Sequence, residues 1–193
     1  MKIEGTVAIV TGAAQGIGKA VTDRLLKHGA RMLTRDGKAA EEEFTQKYGP
    51  DRVGFIWCDV AYLETLTDAF DETYKKHKRL DIVVNNAGIQ DESQWGTLVM
   101  VNYEGDTAFT NGGMRVADVC PGYVDTALGN SGNLLLPPDN QPKPVPMESV
   151  VDAYIQIVED DSMNGVVITA TPTGNNEYHF KSNEEIDKEL NLF

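Results

Sequence analysis

The stretch TVAIVTGAAQGIG, residues 6–18, joins a β-branched run to a glycine-rich turn and decides the fold of this chain. Residues 6–11 predict a buried strand, and residues 16–28 predict a helix because apolar side chains recur there at helical spacing. Glycines in such a turn permit a tight bend and let the backbone approach a pyrophosphate or a neighbouring helix. The helix N-terminus would offer its N–H groups to the phosphates. The stretch therefore predicts a nucleotide site, although a strand-to-helix turn can also need glycine for geometry alone.

An acidic residue after the second predicted strand supports the nucleotide site. Asp36 lies 18 residues beyond Gly18, close to the roughly 20 expected for a carboxylate that holds the adenosine ribose hydroxyls. This carboxylate would repel a 2′-phosphate and so favours NAD over NADP. Arg35 could accept that phosphate instead, which leaves NADP open. Gln15 in the turn adds no basic charge, and NAD remains the favoured cofactor.

Strand-like and helix-like segments alternate along the chain. Further strands are predicted at 30–35, 52–58, 81–86, 114–120 and 165–171, and further helices at 39–48, 62–77, 93–103 and 147–160. This order predicts an α/β fold with a Rossmann-type doubly wound parallel sheet, in one domain over residues 1–193. Residues 127–150 are expected to be an irregular substrate lid, since five prolines fall within 129–146. The polar tail, 174–193, is expected to add little to the core.

The composition excludes several classes of function. Seventeen basic and thirty acidic side chains give a net charge of −13, which disfavours nucleic acid and anionic membranes as partners. No segment approaches the roughly 18 apolar residues of a membrane span, and the N-terminus does not resemble a signal peptide. We therefore expect a cytoplasmic protein without membrane insertion. Cys58, Cys120 and the three histidines show no metal-ligand spacing, so no metal is expected, and both cysteines are expected to be reduced and buried.

Four motifs in order resemble those of the short-chain dehydrogenase/reductase family. They are TGAAQGIG (11–18), Asp59-Val60 after the third predicted strand, NNAG (85–88) after the fourth, and PGYVDT (121–126) after a later one. The spacing G-x-x-x-G-x-G is this family's variant of the dinucleotide turn. The resemblance covers about residues 5–128. Background residues in NNAGIQDESQW, CPGYVDTAL and VEDDSMNG are most similar to the NAD-dependent members that act on hydroxylated lipids such as prostaglandins, and to invertebrate alcohol dehydrogenases.

The resemblance implies a complete cofactor site. The glycine turn would hold the pyrophosphate, Asp59 and Val60 would flank the adenine, and NNAG would form the floor. The PGYVDT loop would hold the nicotinamide. The implied cofactor residues are Gly12, Gln15, Gly16, Ile17, Gly18, Asp36, Asp59, Val60, Asn86, Ala87, Gly88, Pro121, Gly122, Val124 and Thr126. The resemblance also implies hydride transfer between a secondary alcohol or its ketone and NAD, and a homodimer or homotetramer.

The catalytic groups of the family are only partly present. The family's reaction uses a tyrosine base, a lysine four residues later, a serine and an asparagine. A phenol with a pKa near 10 needs a neighbouring cation to act as a base at neutral pH. Asn102 matches the asparagine, 17 residues after Asn85. Residues 103–113 contain no serine and no lysine, and Tyr103 directly follows Asn102. The resemblance therefore implies that a segment is missing within 103–113, either deleted from this chain or absent from the printed sequence.

One tyrosine–lysine pair has the right spacing in the wrong place. Tyr74 and Lys78 satisfy Y-x-x-x-K, but they end a helix that is predicted to run away from the ligand edge of the sheet. Three functions stay open on the residues alone. The first is an NAD-dependent dehydrogenase, the second an NAD-binding protein without turnover, and the third and weakest a spliced or designed fragment with no affinity for the cofactor.

The role of Asp36 can be tested directly. Asp36→Ala should weaken NAD binding by about tenfold or more, since hydrogen bonds to a charged group contribute roughly 1.5–3 kcal/mol. Titration calorimetry with NAD measures the change. Asp51→Ala, in a predicted turn outside the motifs, is the matched control and should leave the affinity unchanged. An unchanged affinity in Asp36→Ala would contradict the predicted cofactor site.

Overall fold

Strands and helices alternate through the part of the chain that the computed structural model describes, which comprises residues 1–34, 38–90, 101, 115–133 and 142–179. The elements are β1 (Val7–Val10), α1 (Gly16–Lys27), β2 (Arg31–Thr34), α2 (Lys38–Tyr48), β3 (Val53–Phe55), α3 (Leu63–His77), β4 (Ile82–Val84), β5 (Asp118–Pro121), α4 (Ala127–Asn133), α5 (Met147–Glu159), β6 (Val166–Thr171) and β7 (Gly174–His179). The predicted α/β alternation is confirmed. The helix predicted at 93–103 lies outside the described residues except for Val101.

The first sheet has four parallel strands in the order β3-β2-β1-β4. In this sheet β1 is central, with Ala8 level with both Met32 and Ile82. All four residues of β1 are buried, as expected for a parallel strand covered on both faces. The order matches the first half of a Rossmann sheet, in which the carboxyl ends of the strands line one edge and form the ligand crevice.

The second sheet has the order β5-β6-β7. β5 and β6 are parallel, whereas β6 and β7 are antiparallel and form a hairpin. The sequence did not predict β7. All six of its residues are exposed, so the alternation of apolar and polar residues that marks a half-buried strand is absent. Main-chain hydrogen bonds to β6 are sufficient to form such an edge strand. The expectation that the tail adds little to the core holds for these six residues, and residues 180–193 lie outside the described part.

Helix α4 corrects the expectation that residues 127–150 are irregular. The helix occupies Ala127–Asn133 and ends before the first proline, Pro137. Proline restricts its own φ angle and the residue just before it, so its effect does not extend this far upstream. Residues 142–146 are non-helical, as expected.

The expectation of two buried cysteines is right for Cys58 and wrong for Cys120. Neither forms a disulfide, and Cys120 is exposed. Strand β5 alternates exposed and half-buried residues, so one of its faces is open within the described structure. Apolar neighbours in the sequence do not reveal on which face of a strand a residue falls.

Helices α1 and α5 connect the two sheets. Among the described residues no ladder joins β4 to β5. Instead, Val21 and Leu25 of α1 share one buried cluster with Val151 and Ile155 of α5. At the rim, Arg24 donates to Asp152 at 2.8 Å and also pairs with Glu148. The Asp152 hydrogen bond and the two carboxylates raise the pKa of Arg24. Packing of one helix pair therefore sets the relative position of the two sheets.

The importance of this packing can be tested with matched leucine substitutions. Leu25 is fully buried, whereas Leu63 is 67% exposed. Leu25→Ala should lower the free energy of unfolding by about 2–5 kcal/mol, because it removes buried methyl groups and leaves a cavity. Leu63→Ala should change it by less than about 0.5 kcal/mol. Urea unfolding measures both, and equal effects would contradict the assigned role of α1.

Candidate cofactor crevice

A crevice opens where the chain leaves the carboxyl ends of β1, β4 and β5. Its volume of about 690 Å³ falls within the usual range of ligand pockets, roughly 300–1,000 Å³. It is lined by Gly12, Ala14, Gln15, Gly16, Ile17, Asp59, Asn86, Ala87, Gly88, Ile89, Val101, Thr126, Ala127, Leu128 and Ser131. Nine of these are predicted cofactor residues, drawn from all four motifs. Chain segments more than a hundred residues apart thus meet at one edge.

The glycine turn has a backbone that other residues adopt poorly. Gly12 has a φ of +66° and Gly16 a φ of +55°, both in the left-handed region. A Cβ on Gly12 would lie 2.9 Å from the Asn86 amide nitrogen. A Cβ on Gly18 would lie 2.5 Å from the Gly12 carbonyl oxygen. The first two glycines therefore shape the turn, and the third allows α1 to pack against it.

The N-terminus of α1 faces the crevice with its backbone N–H groups. Gln15 precedes the helix in an extended conformation and makes no capping side-chain hydrogen bond to the described residues. Gln15 and Gly16 both line the crevice. The first N–H groups of a helix have no partner within it, and the helix dipole favours an anion there. This end of α1 is suited to bind a pyrophosphate.

Thr11 joins the ends of β1 and β4 beneath the crevice. Its hydroxyl accepts hydrogen bonds from the backbone N–H groups of Asn86 (3.0 Å) and Ala87 (2.9 Å). In return the Asn86 side chain donates to the Thr11 carbonyl oxygen at 2.9 Å. The buried hydroxyl thus holds the NNAG segment against the glycine turn. Sequence reasoning did not single out Thr11, whose only signal is its place as the first residue of TGAAQGIG.

Asp59 and Val60, in the loop that follows β3, point in different directions. Asp59 lines the crevice, while Val60 is buried in a cluster with Cys58 and Leu66. The Thr65 hydroxyl donates to the Asp59 carbonyl oxygen at 2.6 Å and accepts from its backbone N–H at 3.0 Å. This reciprocal pair holds the turn in place. Asp59 is therefore positioned to reach a ligand, and Val60 supports the turn from below.

The PGYVDT loop forms the opposite wall through Thr126. A methyl carbon of Thr126 lies 3.5 Å from where a Cβ on Gly16 would be, and the Thr126 hydroxyl accepts from the Gly129 N–H at 3.0 Å. Val124 is buried against Val145 and Val150. The crevice is not lined by Pro121, Gly122 or Val124. These residues instead position Thr126 at its wall.

A hydrogen bond joins α4 to the segment that follows NNAG. The hydroxyl of Ser131 on α4 lies 3.2 Å from the side-chain oxygen of Gln90, which follows NNAG. Sequence reasoning missed six residues of the described lining: Ala14, Ile89, Val101, Ala127, Leu128 and Ser131. Five of these six positions are apolar, and such side chains carry no chemical signal of a binding site in a sequence.

Three predicted catalytic or cofactor-binding features are not part of the described crevice. Asp36 and Asn102 fall outside the described residues. Within the described structure no tyrosine lines the crevice. Tyr74 is exposed near the end of α3, and its carbonyl oxygen accepts the N–H of Lys78. This pair lies just before β4 begins, at the edge of the sheet opposite the crevice.

The described residues contain neither a metal-ligand cluster nor a membrane-spanning helix. No group of three or more His, Cys, Asp or Glu side chains there could hold a metal ion. None of the helices in the described part of the chain has both the length and the apolar character needed to span a membrane.

The comparisons with known proteins agree on one family. The family model described as short chain dehydrogenase matches residues 6–112. The NAD(+)-dependent 15-hydroxyprostaglandin dehydrogenase of Macaca fascicularis is 28% identical, with 89% of this chain and 92% of that protein covered. The 3-oxoacyl-[acyl-carrier-protein] reductase FabG of Aquifex aeolicus is 30% identical over 60% of this chain and 51% of its own.

A solved structure supports the fold. A short-chain dehydrogenase/reductase from Brucella melitensis superposes with a TM-score of 0.72 at 15% identity, covering 89% of this chain and 97% of that one. Together with the parallel sheet and its flanking helices, this likeness confirms the predicted Rossmann-type fold.

The Thr11 hydroxyl allows a test of the crevice floor. Thr11→Val keeps the shape of the side chain but removes the acceptor for two N–H groups. It should lower the free energy of unfolding by about 1–3 kcal/mol and weaken dinucleotide binding. Thr67→Val is the matched control, since the Thr67 hydroxyl donates only to the Leu63 carbonyl oxygen on the exposed face of α3. Chemical denaturation and ligand titration measure both variants, and equal stability losses would argue against the role of Thr11.

Proposed function

This chain belongs to the short-chain dehydrogenase family, and on that premise we propose that it is an NAD-dependent oxidoreductase acting on a secondary alcohol or its ketone. The relatives are oxidoreductases, so the chain is a member of an enzyme family. The single observation that carries the proposal is the crevice itself. It combines the free end of α1, the glycine turn and the NNAG floor in the arrangement that a dinucleotide requires.

NAD is the proposed cofactor on two grounds. The macaque relative is named as an NAD(+) enzyme, and Asp36 supplies the carboxylate that would hold the ribose hydroxyls and oppose a 2′-phosphate. In the described structure, Gln15, Gly16 and Ile17 would hold the pyrophosphate, Asp59 would lie beside the adenine, and Thr126 would contact the nicotinamide half. When bound, the nicotinamide supplies the hydride acceptor.

The substrate, assembly and location form the finer part of the proposal. The relative's name suggests a hydroxylated lipid such as a prostaglandin as one substrate of this type. We propose a single domain over residues 1–193, a homodimer or homotetramer as in the family resemblance, and a cytoplasmic location.

A second candidate function is favoured by a specific observation. Residues 103–113 contain no serine and no lysine. The alignment with the macaque enzyme extends over 246 positions. It includes 89% of the 193 residues of this chain, which is about 172 residues. More than seventy aligned positions therefore have no counterpart in this chain. In a Rossmann sheet a fifth strand pairs with the fourth. Among the described residues, β4 is instead the edge strand of the first sheet, and β5 belongs to the second sheet. These observations support an NAD-binding protein without turnover.

One experiment separates the two candidates. NADH binding is first measured by fluorescence titration on a preparation whose intact mass equals that of the 193 residues. The appearance of NADH absorbance is then followed with NAD⁺ and a panel of secondary alcohols that includes hydroxylated lipids. Binding with turnover supports the dehydrogenase, and binding without turnover supports the second candidate. A chain that binds neither NAD⁺ nor NADH would contradict both.

A further inference from the structure

Helix α4 forms part of the crevice wall although its own sequence favours a helix only weakly. Ala127, Leu128 and Ser131 of this helix line the crevice. Its sequence, ALGNSGN, consists mostly of glycine, asparagine and serine, which are poor helix formers. The helix has seven residues, whereas isolated helices shorter than about 12–15 residues are marginal in water. Contacts with the rest of the protein are therefore needed to hold α4 in place.

Burial of apolar side chains does not supply those contacts. None of residues 127–131 is buried, and Leu128 is 43% exposed. The helix instead lies directly against the backbone of the PGYVDT loop, where a Cβ on Gly129 would overlap the Val124 carbonyl oxygen. Val124 is itself buried against Val145 and Val150. The loop is therefore anchored in the core and can serve as a support for α4.

Asn130 links α4 to this loop through both ends of its side-chain amide. Its Oδ1 accepts a hydrogen bond from the Tyr123 hydroxyl at 2.5 Å, and its Nδ2 donates to the Asp125 carboxylate at 2.9 Å. A hydrogen bond to an ionised acceptor is stronger than one between neutral groups. Tyr123 is held in turn, because its carbonyl oxygen accepts the Val145 N–H at 2.6 Å. Tyr123, Asn130 and Asp125 thus form a side-chain bridge between the helix and the loop.

The backbone connects Asn130 to the crevice wall. The N–H groups of Gly129 and Asn130 donate to the Thr126 hydroxyl (3.0 Å) and to the Thr126 carbonyl oxygen (2.9 Å). One residue further along α4, the Ser131 hydroxyl lies 3.2 Å from the side-chain oxygen of Gln90. A displacement of Asn130 would therefore shift two lining residues, Thr126 and Ser131, relative to the glycine turn.

Resting on the proposed function, we infer that Asn130 is a positioning residue for the cofactor. Asn130 does not line the crevice, and it acts through Thr126 and α4, whose place it fixes before the cofactor binds. A preformed wall reduces the ordering that binding would otherwise require, and so favours the bound state. Without the side-chain bridge, α4 unfolds locally while the core stays folded, and NADH is released faster.

The first test removes the side-chain bridge and measures the release of NADH. Asn130→Ala should release NADH about three- to tenfold faster than the unaltered protein, the range expected for loss of one or two hydrogen bonds. Tyr123→Phe keeps the ring but removes the hydroxyl, and should change the rate in the same direction by a smaller factor. Stopped-flow fluorescence follows the release when the NADH complex is mixed with excess NAD⁺. Asn130 is exposed, so the urea unfolding midpoint should stay nearly unchanged.

An exchange of donor and acceptor tests whether the hydrogen bonds themselves are responsible. Asn130→Asp keeps the shape of the side chain but places a second carboxylate against Asp125, and the repulsion should speed NADH release. Adding Asp125→Asn restores a donor and an acceptor at the two positions, and the carboxylate introduced at position 130 still accepts from the Tyr123 hydroxyl. The double variant should return the release rate close to that of the unaltered protein, a rescue that a purely structural role of Asn130 would not produce.

Asn164→Ala is the matched control. Asn164 is also an exposed asparagine, and its Oδ1 accepts one hydrogen bond, from the Val116 N–H at 3.0 Å. It lies just before β6, at the amino end of the second sheet and away from the crevice. Loss of this hydrogen bond should leave the rate of NADH release unchanged, even where the unfolding midpoint falls.

The contrary outcomes separate the inference from the proposed function. An unchanged release rate in Asn130→Ala, an equal increase in Asn164→Ala, or no recovery in the double variant would each overturn the positioning role of Asn130. Failure of the unaltered protein to bind NADH, measured before any variant is compared, would instead overturn the proposed function on which the inference rests.

Discussion

The packing of α1 against α5 is the contact on which the rest of the described structure depends. The four-stranded and three-stranded sheets share no ladder in the described residues, so this helix pair sets how their carboxyl ends face each other. The same helix α1 carries Gly16 at its start, beside Thr126 of the opposite wall. A single helix therefore joins the two sheets through its buried face and contributes the anion site through its N-terminus. The stability of the fold and the geometry of the crevice are coupled for this reason.

Hydrogen bonds complete the crevice where packing alone could not. A parallel sheet leaves the ends of its strands open, and backbone groups there need partners. Thr11 provides them for Asn86 and Ala87 with one buried hydroxyl, and Thr65 does the same for Asp59. Each of these two ligand-facing loops is thus held by a threonine just outside the lining. The crevice combines hydrogen-bonded walls with a single charged residue, Asp59, among its described lining, which suits a dinucleotide held by backbone N–H groups.

Most of the fold could be predicted from patterns in the sequence, and the exceptions have specific causes. The glycine turn and the apolar runs around β1, α1 and α3 were predicted within a few residues, because burial imposes a period of 2 or 3.6 on such segments. The exposed strand β7 lacks that period, since only its backbone contributes. Helix α4 was not predicted, because it lies in the same polar, proline-rich segment as the prolines downstream of it and has no apolar period of its own. Cys120 was misplaced because its environment depends on which face of β5 is covered.

The sequence by itself determined the family, the α/β order of elements and the four motifs, since each depends on residue type and spacing along the chain. It also showed that residues 103–120 contain no serine, no lysine and one tyrosine, Tyr103. Only the tertiary structure decided which motif residues face the crevice, with Asp59 turned toward it and Val60 away. It alone showed that Thr11 links the glycine turn to the NNAG segment by hydrogen bonds. It also showed that Ile89, Leu128 and Ser131 line the crevice. Side-chain direction and contacts between distant segments arise from packing in three dimensions, and no local pattern in a sequence encodes them.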